Sequence, residues 1–106
     1  MPKEGRENRL RAVVHVTEDL IFDLAGIYDS IGEAGDEVRN ALVKAIRMMM
    51  RNELDRSLVE PFGVLGTTFA FNFHRGYIFT FTINTHFSQD KPIEEHYFLK
   101  NLYRKK

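Results

Sequence analysis

The chain has 106 residues, 15 basic and 15 acidic side chains, no cysteine and 43% hydrophobic residues. That length makes one domain with one modest core. The composition excludes collagen-like repeats and global disorder, the missing cysteine excludes disulfides and thiol chemistry, and the zero net charge supplies no overall field for nucleic acid.

Residues 1–9 are polar and charged, with no apolar stretch behind them. They read as a flexible segment in front of a single domain over 10–106, not as a targeting signal. No apolar run approaches the roughly 18–20 residues of a membrane span, so no membrane partner is expected and the default location is cytoplasmic. Leu10, Ala12, Val14 and Val16 alternate with Arg11, Val13 and His15, which predicts a strand over 10–16. Thr17 then stands where an N-cap is needed, with Glu18 and Asp19 in the first turn. Leu20, Leu24, Ile27, Tyr28 and Ile31 fall at helical spacing and predict a helix over 18–31, ended by Gly32. Phe22 lies off this stripe and is expected to find local packing.

A Gly-containing connection over 30–36 leads to a second helix over 36–56, capped by Asp36. Its buried stripe is Val38, Leu42, Ala45, Ile46 and Met49. Asn40, Lys44, Arg47 and Arg51 lie opposite, and Arg51 is placed to pair with Asp55. Residues 58–66, punctuated by Pro61, Gly63 and Gly66, read as a loop entering the sheet.

Residues 67–87 carry the clearest pattern. Phe69, Phe71 and Phe73 alternate with polar residues, and Tyr77, Phe79, Phe81, Ile83 and Phe87 continue the apolar set. A three-residue loop, His74-Arg75-Gly76, pairs Phe73 with Tyr77, Phe71 with Phe79 and Phe69 with Phe81, so that every aromatic faces the core. The opposite face carries Thr68, Ala70, Asn72, Ile78, Thr80, Thr82, Asn84 and His86. Between Pro61 and Gln89 the one formal charge is Arg75. Solvated sheet surfaces normally carry charges that deter pairing with other chains. Their absence predicts that something covers this face.

Asp90-Lys91-Pro92 reads as the start of a C-terminal helix, with acids early and Arg104, Lys105 and Lys106 late. Ile93, Tyr97, Phe98, Leu99, Leu102 and Tyr103 spread around such a helix, and a strand over 97–103 is the alternative. The fold class expected is α+β: a small antiparallel sheet, made of the hairpin and the N-terminal strand, with two helices on one face.

No motif assigns a reaction, so no catalytic residue, cofactor or metal ligand is assigned, and the reading leans to a non-enzymatic module. The four histidines lack metal-binding spacing, although His15 and His86 can share a sheet face with Asn84 and, with Asp90, Glu94 or Glu95, would offer a metal or acid–base site that no spacing requires. The leading expectation is self-association, with a dimer favoured, or docking of a protein partner. The interface residues would be Thr68, Asn72, Thr80, Thr82, Asn84, Phe98 and Leu102. Charge segregates along the chain, with net −7 over 17–37 and net +3 over 38–58. A nucleic-acid site formed by Lys44, Arg47, Arg51, Arg104 and Lys105 is therefore one alternative. A ligand trough lined by Asn72, Asn84 and His86 is another.

Overall fold

The computed structural model describes residues 10–63 and 67–104; the N-terminal segment, Gly66, Lys105 and Lys106 lie outside the described residues. The class is α+β. The chain forms β1 (Arg11–Val16), α1 (Glu18–Ile31), a 3-10 turn (Gly32–Ala34), α2 (Gly35–Met50), a second 3-10 turn (Arg56–Leu58), β2 (Val59–Phe62), β3 (Thr68–His74), β4 (Tyr77–Ser88) and β5 (Lys91–Arg104). The sheet order is β1-β5-β4-β3-β2. It is mixed rather than antiparallel, because β1 runs parallel to β5.

Thr17 caps α1, its Oγ1 accepting from the Leu20 N–H at 3.4 Å. The same hydroxyl donates to the Lys100 carbonyl at 3.0 Å and so fixes the helix start to β5. Helical structure runs from Glu18 to Met50 with only the 3-10 turn between α1 and α2, where a looser connection was expected. Asp36 is not the cap of α2. It lies in the first turn, and its carboxylate accepts from the Tyr28 hydroxyl at 2.7 Å. Being bound to that carboxylate holds the Tyr28 hydroxyl above its ordinary pKa.

Helix α2 stops at Met50, short of the expected 56. Asn52 takes a positive φ of 56°, its N–H bonds the Met49 carbonyl, and the Glu53 N–H bonds the Met48 carbonyl at 2.8 Å. This is a Schellman ending with asparagine in the left-handed position. The expected helical pairing of Arg51 with Asp55 is lost with it. Asp55 instead accepts from the Ser57 N–H and hydroxyl, which hold its carboxyl below the ordinary range.

Three strand assignments need correction. Residues 59–62 are a strand, not a loop; Pro61 lacks an N–H and is tolerated there because β2 is an edge. The hairpin turn has two residues, Arg75 and Gly76, both at positive φ. A bulge between Asn72 and His74 restores the expected Phe71–Phe79 and Phe69–Phe81 pairs, whereas His74, not Phe73, pairs with Tyr77. The C-terminal segment is a strand, not a helix. Tyr97 and Leu99 face the core, and a register shift leaves Lys100 without a partner on β4, so Leu102 faces the core as well. The Asp23 carboxylate on α1 accepts the Leu102 N–H at 2.9 Å and the Asn101 side-chain amide at 3.3 Å, which pins this irregularity to the helix.

The core lies between the helices and one sheet face. Leu20, Leu42, Ala45 and Met49 meet Phe71, Phe79, Phe81, Tyr97, Leu99 and Leu102. Each of these larger side chains contributes about 1.5–3 kcal/mol in transfer terms. Phe22 does not find the expected packing and is 73% exposed, and Phe87 is 64% exposed on the part of the β4–β5 hairpin that extends beyond β3. No helix among the described residues is long and apolar enough to cross a membrane.

Candidate functional site

Both helices pack on one side of the sheet, so its other side is a broad surface with no described element over it. Its centre holds Thr68, Ala70, Asn72, Ile78, Thr80, Thr82 and Asn84, as alternation requires. Thr80 is only 2% exposed, enclosed between its strand neighbours Ala70 and Asn101. Phe98 shares this face, in register with Thr82. Leu102, expected at the interface, belongs to the core instead, because the irregularity at Lys100 inverts the alternation there.

The two ends of the open face differ. At one end, Phe62 of β2 stacks on Tyr103 of β5 at 5.7 Å. These rings border a hollow with Leu58, Glu60, Asn72, Ile78 and Arg104. At the other end, β1, β5 and β4 bring three histidines together. Parallel pairing sets Val13 beside His96 and His15 beside Phe98, and antiparallel pairing sets Asn84 beside His96 and His86 beside Glu94. His15 stacks on Phe98 at 4.4 Å, and His86 stacks on His96 at 4.1 Å. The His15 Nε2 and His96 Nδ1 atoms are 2.8 Å apart and share one hydrogen. The His96 Nε2 atom is buried without a hydrogen-bond partner and lies 3.6 Å from the Glu94 Oε1. The Glu94 Oε2 lies 3.8 Å from the Arg11 guanidinium.

The expected ligand trough therefore divides. Asn84 and His86 belong to the histidine end, whereas Asn72 borders the Phe62–Tyr103 hollow. The six residue steps along β4 from Ile78 to Asn84 separate the two by about 20 Å at the usual strand rise. Glu94 stands in the sequence as a candidate neighbour of His15 and His86, but the helical reading of 92–103 hid its grouping with His96. Read as a strand next to β1, the same residues align with His15. Glu95 points to the other side of the sheet, and His74 lies apart, 3.9 Å from Glu37.

A second hollow lies on the helix side. Leu10, Met49, Leu54, Val59, Phe69, Phe81 and Ile83 line a cavity of about 490 Å³, with Asn52, Glu95 and Tyr97 as its polar groups. The Tyr97 hydroxyl donates to Glu95 at 3.5 Å, and Asn52 donates to the Leu10 carbonyl at 2.6 Å.

The basic residues do not form one patch. Lys44, Arg47 and Arg51 line a shallow groove on α2 with Arg39 and Glu53. Arg104 lies elsewhere, over the Tyr77 ring beside the hairpin turn, and Lys105 is outside the described residues. The chain matches no protein-family model, no curated protein and no solved structure.

Proposed function

We propose that this protein is a homotypic assembly module in which two copies pair through their open sheet faces. The observation that carries the reading is one-sided packing. Both α-helices cover one face of a five-stranded sheet, and the face left over is uncharged at its centre. The centres of two such faces meet without burying an unpaired charge, with Glu60, Arg11 and Glu94 at the margins, and hydroxyl and amide groups bond across a two-fold axis. The five strands span roughly 700 Å² in projection, at about 3.3 Å per residue and about 4.8 Å between strands. That is close to the roughly 800 Å² per partner of a standard stable interface. Phe98 and the Phe62–Tyr103 pair supply aromatic anchors at the two ends.

Light scattering on a sizing column tests this. Wild-type chain is expected at twice its monomer mass over a range of concentrations. Asn72→Lys combined with Thr82→Lys is expected at monomer mass, with an unchanged circular dichroism spectrum. Thr80 is a poor probe, because its burial would make a lysine there disturb the fold. A wild-type monomer at every concentration rejects the reading.

A second reading follows from the helix-side cavity. Its size and apolar lining with few polar groups suit a small apolar molecule with a hydroxyl or amine end, which Glu95 would accept. The neutral fluorophore 1-aminoanthracene is expected to bind saturably at one site per chain, and Ile83→Trp, which fills the cavity, is expected to abolish that signal. Unchanged binding by the Ile83 variant rejects this reading.

A further inference from the structure

We infer that His86, Glu94 and His96 form a binding site for a divalent transition-metal ion of the zinc class, with His15 holding His96 in the ligating orientation. The inference is independent of self-association.

The three residues each offer one ligand atom, and these atoms lie within 4.8 Å of one another. Two ligands of a tetrahedral ion at about 2.0–2.2 Å stand about 3.3–3.6 Å apart. The 3.6 Å between the His96 Nε2 and the Glu94 Oε1 already meets that spacing. It is too long for a direct hydrogen bond. His86 is exposed on β4, so a rotation of its ring closes the remaining distance.

The hydrogen bonding around His96 points the same way. A metal-bound imidazole ordinarily donates its other ring N–H to a fixed partner, which sets its tautomer. The His15 Nε2, 2.8 Å from the His96 Nδ1, is such a partner. With the proton on the His96 Nδ1, the Nε2 presents a bare lone pair towards Glu94. That atom is buried and without a hydrogen-bond partner. A buried nitrogen facing a carboxylate oxygen is costly to leave unsatisfied, and a cation between the two satisfies both. His15 is itself held by stacking on Phe98, and the second oxygen of Glu94 faces Arg11, so Oε1 is the one turned to the ion.

The donor set defines the class. Two imidazoles and one carboxylate suit zinc and its first-row neighbours. Calcium and magnesium require oxygen ligands, and copper(I) prefers sulfur. Three protein ligands leave a fourth position facing the open side of the sheet.

Titration of the untagged chain with Co²⁺ and Zn²⁺ tests the site, read by the visible absorption of tetrahedral Co²⁺ and by calorimetry for Zn²⁺. The expected result is one ion per chain, with Zn²⁺ displacing Co²⁺. His86→Ala, at an exposed position that leaves the fold intact, is expected to weaken binding at least tenfold. His15→Ala is expected to weaken it by about 10–100-fold without changing the stoichiometry, as loss of an orienting partner does. His74→Ala is expected to bind as wild type. No tetrahedral Co²⁺ spectrum at millimolar metal overturns the inference. So does a His74 variant that loses as much affinity as the His86 variant, since the ion would then sit elsewhere.

Discussion

On the helix-covered face, the sheet presents Phe71, Phe79, Phe81, Tyr97, Leu99 and Leu102, all buried. On the open face, the same strands present threonine, asparagine, histidine and a few rings at the ends. The first face has one physical task, to exclude water beneath α1 and α2, and nearly every position on it is apolar. The second face has no described element to pack against, and its residue types are not those of ordinary solvated sheet. The two-residue period of the strand puts the side chains that carry stability on the first face and those of the proposed recognition surface on the second. A substitution on one face should leave the property of the other nearly untouched.

The largest effect belongs to the covered face. Phe79 is fully buried, and Phe79→Ala should cost about 3–5 kcal/mol by urea unfolding. A loss under about 1 kcal/mol would mean that the aromatic cluster does not carry the fold. Next is Gly35, at the start of α2. A Cβ there would stand 2.9 Å from the Tyr28 ring. Gly35→Ala should therefore destabilise by about 1–3 kcal/mol, although alanine is the better helix former. Pairing it with Tyr28→Ala removes the clash and sharpens the assignment.

The open face should respond differently. Asn72→Lys and Thr82→Lys should each change the intrinsic stability of the chain by about 0.5 kcal/mol or less, because neither side chain is buried. Their effect should fall on assembly. The smallest effect is expected at Asp55. Its carboxyl is held below its ordinary value of 3.8 by Ser57, so it favours the folded state above that pH. This contribution disappears as pH falls through the lowered folded-state value. Asp55→Asn should thus be slightly less stable than wild type at neutral pH, and the difference in urea midpoints should vanish in acid.

Much of the covered face was legible in sequence because alternation and helical spacing each report a single buried side. The Phe69–Phe81 and Phe71–Phe79 pairs and the bounds of α1 follow directly. What was not legible arose where local signals gave way to contacts far along the chain. Glu94, Glu95 and the late basic residues imitate a helix dipole. Pairing with β1 and β4 overrides that tendency, and the misplaced Leu102 follows from an irregularity that only Asp23, 79 residues away, reveals. Asn52 ends α2 by taking a left-handed conformation that asparagine adopts without announcing it. The histidine cluster depends on the parallel β1–β5 pairing. No spacing within either strand encodes it, so the grouping of His96 with Glu94 and His86 became visible only in three dimensions.

The separation of the two faces is tested most directly by the urea midpoint of wild type and of the Asn72→Lys, Thr82→Lys double variant, each measured over a wide range of protein concentration. A dimer that dissociates on unfolding gains stability with concentration by mass action. The wild-type midpoint should rise with concentration. The double variant should instead show one fixed midpoint, close to the wild-type value at high dilution. A wild-type midpoint that does not depend on concentration would contradict pairing through the open face.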